Sequence, residues 1–233
     1  MKKTIILIQL MILISFTSFS QGSGNKSSLV DDTKFFAALS GGPSIPVGVF
    51  QKKDFAVTSE AGLAKVGYVL NANLGYKFHN NFGIASTVFY SMYKLDQKAI
   101  NDFIGKSTTT VVGASADHWQ YVGVVAGPMA TVPLMEKLYI DFKAMAGYAH
   151  ANMPVIKVQL EGLPAPVNAS QEKWADAFAW QLGTNLRYNL SSKFCLFGNA
   201  DYNYMKPTWK TDVGDVVQKL GVVDINVGVG ANF

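Results

Sequence analysis

A chain of 233 residues is long enough for one large domain or two small ones. Half of it (49%) is apolar and only 15% is charged, against about 25% in an ordinary soluble domain, so it has too few charges to clothe a soluble surface. Its 20 basic and 16 acidic residues form no basic cluster, which argues against a nucleic-acid partner, and its single cysteine, Cys195, excludes an internal disulfide.

The first segment, "MKKTIILIQLMILISFTSFS", has a basic start (Lys2, Lys3), an apolar run from Ile5 to Phe16, and small residues before Gln21. This is the pattern of a secretory signal with a cut after Ser20. The run is short for a membrane span, no basic stop-transfer residues follow it, and no cysteine near the cut offers a lipid anchor. Without Lys2 and Lys3 the formal charge falls from +4 to +2. Residues 21–33, "QGSGNKSSLVDDT", read as a flexible periplasmic leader. Residues 34–233 are then the folded domain.

From residue 34 onward the dominant period is two, the period of a strand. Eight segments show it: 34–43, 66–79, 82–94, 118–132, 138–150, 174–189, 194–205 and 220–233. In "YVLNANLGYKFH", Leu70, Ala72, Leu74, Tyr76 and Phe78 share one face; Asn71, Asn73, Gly75, Lys77 and His79 share the other. Further on, Leu138, Ile140, Phe142 and Tyr148 oppose Asp141, Lys143 and Gly147, and Phe178, Trp180, Leu182, Leu186 and Tyr188 oppose Gln181, Asn185 and Arg187. In 194–205 the polar side is Asn199, Asp201 and Asn203. The last segment sets Val223, Ile225, Val227, Val229 and Phe233 against Asp224, Asn226 and Asn232. Segments 34–43 and 118–132 alternate less cleanly. Nothing after the signal approaches 18 consecutive apolar residues, so no spanning helix is expected.

Connections alternate in length. "HNN", "PLMEK" and "SSK" are tight and polar, whereas the stretches near 44–65, 95–117, 151–173 and 206–219 run to a dozen residues or more. Short turns at one end and long loops at the other are the form of an outer-membrane barrel. Hydrocarbon supplies no water to satisfy backbone groups, so a sheet within it must close on itself. The expected fold is all-β: an eight-stranded antiparallel up-and-down transmembrane β-barrel. A soluble barrel would also alternate, with its faces inverted. Two features favour the membrane form. The apolar faces are bulky while the opposite faces carry Gly, Ala, Ser and Asn beside the charges. Aromatics also crowd the strand ends: Tyr76, Phe78, Phe82, Tyr188 and Phe194 by the tight turns, and Tyr90, Trp119, Tyr148, Trp174, Trp180, Tyr202 and Tyr204 toward the long loops.

The segments "GGPSIPVGVF", "GYVLNANLGYKFHNNFGI" and "AGPMATVPLMEKLYIDFKAMAGY" resemble the outer-membrane β-barrel domain family of small porin-like proteins, OmpA/OmpX/OmpW-like in architecture, in a form common in Bacteroidetes. The resemblance covers roughly residues 34–233. It implies a bacterial outer-membrane location, contact with outer-membrane lipids and lipopolysaccharide, and delivery by the outer-membrane insertion machinery. The final strand, with Val227, Val229 and the last residue Phe233, resembles the C-terminal assembly signal which that machinery reads. No OmpA-type periplasmic domain is expected, because the chain ends with that strand.

Inside such a barrel the candidate polar network is Lys77, Asp141, Lys143, Arg187, Asn199, Asp201, Asp224 and Asn226. Eight strands enclose only enough room for side chains, so these groups are expected to pair into a plug. A narrow polar pathway is the alternative. His79, His118 and His150 are scattered, His150 has no Ser two residues on, and one cysteine completes no metal-ligand cluster. No catalytic residue, metal or cofactor is expected, and the chain is not read as an enzyme. "IGKSTTT" mimics the end of a phosphate loop, but Ile100 stands where that motif needs Gly; it reads as an exposed loop, with one helical turn at most in the preceding "LDQKAINDF". Cys195 reads as a buried filler. The functional reading is a structural and interaction barrel presenting four extracellular loops. The alternatives are a weak porin for small solutes or ions, and a barrel subunit of a secretion or assembly complex.

Overall fold

The computed structural model describes residues 34–53, 61–79, 81–107, 111–162, 165–168, 172–212 and 214–233. The signal and leader, 1–33, lie outside the described residues. In chain order the elements begin with β1 (Phe35–Val47), β2 (Gly67–His79) and β3 (Phe82–Tyr93), then a helix α1 (Gln97–Ser107) and β4 (Val111–Ala116). Next come β5 (Trp119–Met135), β6 (Leu138–Met153), β7 (Ile156–Leu160), β8 (Val167–Asn168) and β9 (Lys173–Asn189). The chain finishes with β10 (Phe194–Met205), β11 (Thr208–Thr211), β12 (Gly214–Val217) and β13 (Leu220–Asn232).

Eight of these strands close a barrel in the order β1-β13-β10-β9-β6-β5-β3-β2, each antiparallel to its neighbours. They coincide with the eight period-two segments. Closure joins the first barrel strand to the last: Phe36 faces Asn232, and the Phe233 N–H donates to the Phe35 carbonyl at 2.8 Å. Stepping from partner to partner, Tyr148, Val124, Val88, Ala72, Leu39, Val229, Leu196 and Tyr188, the path returns to β6 at Leu138. That displacement along one strand is the shear that tilts the strands of a closed barrel.

The faces sort as the alternation requires. Leu70, Leu182 and Val227 are exposed at 57%, 52% and 74%, whereas Asp141 and Arg187 are at most 1% exposed. A soluble barrel would show the reverse. The tight turns β2–β3, β5–β6 and β9–β10 share one end with the start of β1 and the end of β13. In the β9–β10 turn the Ser191 hydroxyl accepts from the Lys193 and Phe194 amides at 3.2 and 3.1 Å, holding the reversal.

Three features depart from the sequence reading. The long loops are not plain: β4, β7 and β8 form a three-stranded sheet, and β11 and β12 a hairpin. α1 is longer than one turn and takes in residues 104–107, the first four of the phosphate-loop mimic, whose residues 108–110 lie outside the described ones. β1 runs on to Val47, past Pro43 and Pro46, which still pair in register with Tyr68 and Val222.

Inward glycines make room for rings. A Cβ on Gly75 would stand 2.1 Å from the Phe36 ring, and one on Gly123 2.4 Å from the Phe89 ring. Gly75→Val is expected to destabilise the barrel by about 1–3 kcal/mol through overpacking, measured as a lowered urea midpoint at unchanged slope.

Candidate functional site

The interior is organised as rows of inward residues that step across neighbouring strands. One row runs Lys143, Gly183, Asp201, Asp224, Ser44 over β6, β9, β10, β13 and β1. The next, toward the tight turns, runs Thr131, Asp141, Asn185, Asn199, Asn226. The third runs Tyr139, Arg187, Phe197, Gly228, Ser40, Asn71.

Charges pair both within and between these rows. The Arg187 guanidinium lies 3.2 Å from Asp141 Oδ1, which also accepts from the Thr131 hydroxyl at 2.7 Å. The same guanidinium covers the Phe36 ring at 4.4 Å and the Tyr139 ring at 5.3 Å. Lys143 Nζ meets Asp201 Oδ1 at 3.0 Å, and Asn199 donates to Asp201 Oδ2 at 3.3 Å. Lys143 reaches Asp201 across β9 because the residue between them is Gly183, where a Cβ would lie 1.8 Å from Asp201 Oδ1. Asp224 accepts from Asn203 at 2.6 Å and from the Ser44 hydroxyl. Lys77 lies near the tight-turn end, its ammonium 5.8 Å from the Tyr139 ring centroid. The Asn71 and Asn226 amides, both at most 3% exposed, have no hydrogen-bonded partner among the described residues. The buried acids of the barrel strands, Asp141, Asp201 and Asp224, equal in number the buried bases, Lys77, Lys143 and Arg187.

Aromatic side chains flank this polar middle on both sides. Toward the tight turns, Phe36 and Phe197 pack at 5.9 Å beside Arg187, with Cys195 buried nearby. Toward the long loops a larger cluster links Phe89, Tyr121, Tyr93, Phe50, Trp119 and Trp209 through ring contacts of 5.3–5.9 Å. The Ser44 hydroxyl pairs with Tyr93 Oη at 2.5 Å, and Tyr93 Oη with Tyr121 Oη, so polar middle and aromatic cap share one hydrogen-bonded chain. Trp119, a candidate for the outer girdle, instead points inward at 7% exposure and donates to the Gly62 carbonyl at 2.9 Å. Trp209 donates to the Ala151 carbonyl at 3.2 Å.

Loop residues complete the cap. Phe50 sits on the one-turn 3-10 helix Gly48–Gln51, and Leu63, with φ of 53°, is buried beside it. The Asp96 N–H donates to the Leu63 carbonyl at 2.8 Å, tying the first long loop to the second. Asp96 is the N-cap of α1, accepting from the Lys98 and Ala99 amides at 3.2 and 3.3 Å. Lys53 and Lys65 reach its carboxylate at 2.7 and 3.5 Å. The Lys53 hydrogen bond, acting against desolvation and helped by the Ala99 amide and Lys65, holds the Asp96 carboxyl below its ordinary pKa.

His150 and Asp176, cross-strand partners on the outward face, meet at 2.7 Å, and the His150 ring stacks on Trp174 at 4.8 Å. Spacing alone does not reveal a pair separated by 26 residues. Among the described residues, no three of His, Cys, Asp and Glu come together as a metal site, and no helix is long and apolar enough to cross a membrane.

No family model and no curated protein matches the chain. Solved structures do. A major outer membrane protein of Thermus thermophilus is 11% identical, with 85% of this chain and 99% of that one covered, at a TM-score of 0.50. The barrel fold is shared. Ail, the attachment invasion locus protein of Yersinia pestis, is 17% identical over 86% of this chain and 99% of its own, at a TM-score of 0.45. Neisserial surface protein A is 12% identical over 85% and 97%, at 0.44.

Two outcomes are expected. Asp141→Leu strands the Arg187 cation and should cost about 3–5 kcal/mol of unfolding free energy, with much of it recovered in Asp141→Leu/Arg187→Met; a double-mutant cycle from urea unfolding measures both. Asp96, depressed in the folded state, contributes stability that is complete above its unfolded pKa and disappears as pH falls through its folded pKa. Pepsin cleavage of the long loops should therefore rise only in strongly acid solution. Asp96→Ala, which loses about 1 kcal/mol of capping, should be cleaved readily throughout that range.

Proposed function

We propose that the protein is an integral protein of the bacterial outer membrane, with a structural and interaction role, no catalytic site and no cofactor. The observation that carries this reading is the pairing of an apolar outward belt with a buried polar interior whose acids and bases are equal in number and which is capped by aromatic rings toward the long loops. On β10 the belt runs from Phe194 to Tyr204, a rise of about 25 Å at ordinary strand rise and tilt, which is the height of the apolar band of such barrels. A cylinder of this surface in water would expose Leu39, Phe78, Phe178, Val227 and Phe233 without cover.

The interior supports a plug over a pathway. A solute entering from the long-loop end meets the cap of Phe50, Tyr93, Trp119, Tyr121 and Trp209, and then carboxylates already engaged by Lys143, Arg187, Ser44 and Asn203. The loops, with their own sheet, hairpin and helix, form the surface offered to lipopolysaccharide and extracellular partners. Secretion through the 1–20 signal, delivery by the outer-membrane insertion machinery through Val227, Val229 and Phe233, and membership of the small porin-like Bacteroidetes-type family belong to the same reading. Its support is the quoted resemblance and the outward placement of those three side chains, at 74%, 64% and 70% exposure.

Three measurements test the reading. Purified protein should migrate differently on SDS gels before and after boiling. It should give no stable conductance steps in planar bilayers; regular steps would overturn the plug. Leu182→Arg, near the middle of the belt, should cost about 2–4 kcal/mol of stability in bilayers; a neutral result would place that face in water.

A further inference from the structure

Not every polar group of the interior is paired. In the row Thr131, Asp141, Asn185, Asn199, Asn226, Thr131 donates to Asp141 Oδ1 and Asn199 donates to Asp201. Asp141 Oδ2 and the side-chain oxygens of Asn185, Asn199 and Asn226 accept no hydrogen bond among the described residues. Asn226 Nδ2 and Arg187 Nε likewise have no acceptor there. These five side chains are at most 4% exposed, so bulk water does not reach them. A buried polar atom left in that state bears its whole desolvation penalty.

The six atoms are neighbours. Asp141 pairs with Asn185 across β6 and β9, Asn185 with Asn199 across β9 and β10, and Asn199 with Asn226 across β10 and β13. Arg187 is the next inward residue of β9 after Asn185. Cross-strand pairs stand about 5 Å apart at Cβ, so the side chains line one continuous arc. The arc ends against bare backbone. Asn226 Oδ1 lies 3.1 Å from the place a Cβ on Gly42 of β1 would take, and the next inward residue of β13 is Gly228. No side chain from either position can reach over to partner Asn226.

We propose that this arc is a binding site for trapped water. Six unpaired atoms, at about three hydrogen bonds to each buried water, call for about two molecules. The mixture of atoms selects the ligand. A cation would satisfy the oxygens, leave Asn226 Nδ2 and Arg187 Nε unpaired, and stand beside the charges of Arg187 and Lys143. An anion would meet the Asp141 carboxylate and three amide oxygens. Water both donates and accepts, and an eight-stranded interior has no room for a larger polar molecule. The waters join the Arg187–Asp141 pair to Asn199, which already donates to Asp201 of the Lys143 pair. Both ion pairs then belong to one network, and the waters are part of the filling and not a pathway. This inference rests on the packing of the interior and is independent of the membrane reading.

The test is a high-resolution crystal structure of the full chain folded in detergent, with oxygen-17 relaxation dispersion of water on the same preparation. The expected result is density for about two waters within hydrogen-bond distance of the Asn185, Asn199 and Asn226 side chains. The count of long-lived waters should fall by about two in Asn185→Leu/Asn226→Leu. Urea unfolding adds a sign. Leu keeps the shape of Asn, so in a hydrated site the double variant strands the remaining groups and its midpoint falls. In a dry site it removes unpaired amides, and the midpoint holds or rises. If the variant does not fold, the wild-type density and relaxation decide alone. Amides bonded directly to one another with nothing between them, an atom coordinated by oxygens only, absence of long-lived water, or a midpoint that does not fall would each overturn the site.

Discussion

Closing β1 on β13 leaves no barrel strand edge without a partner, and in a medium without water that is the condition for a sheet to exist at all. Everything else follows from that seam. Once the sheet is a closed cylinder, alternate residues have only two places to go, and each must suit its own environment. The apolar set turns to the outside, where nothing polar is needed. The polar set turns to an interior that eight strands leave only wide enough for side chains. A group placed there loses water and has only its neighbours to replace it.

The interior meets that demand by layering. Arg187 is held by a carboxylate on one side and by aromatic faces on the other, which suits a planar, weakly hydrated cation. Lys143, a compact charge on a flexible stem, reaches past the bare backbone of Gly183 to Asp201. Asp224 has hydroxyl and amide donors instead of a cation, and those donors continue through Ser44, Tyr93 and Tyr121 into the cap. The polar middle and the aromatic lid are therefore one connected structure. Loop residues such as Phe50, Leu63 and Asp96 extend it outward, so the surface presented by the loops is anchored in the barrel itself.

Much of the barrel was legible in the sequence because an apolar outer face and a packed polar interior impose the strand period so strongly. β2, β6, β9, β10 and β13 read cleanly for that reason. β5 read poorly because Tyr121, Val125 and Met129 point inward while Val122 and Val124 point outward, so both faces are apolar. The candidate lumen residues were legible as a set, since each is a polar residue opposite a bulky one. Their pairing was not, because Lys143 with Asp201 and Arg187 with Asp141 are contacts between residues 58 and 46 positions apart. The aromatic cap was missed altogether. An inward Trp119 and an outward Trp174 look alike in a linear pattern, and Phe50 is placed by a loop with no period to read.

The claim beneath this account is that the outward belt faces lipid and the interior does not open to water. It is tested most directly by nitroxide labels at Leu70, Leu182 and Val227 in a Cys195→Ala background, with the barrel reconstituted in bilayers. Labels on these residues should collide freely with oxygen, which partitions into hydrocarbon, and hardly at all with a water-soluble nickel chelate. Ready collision with the chelate at all three positions would put the belt in water and contradict the account.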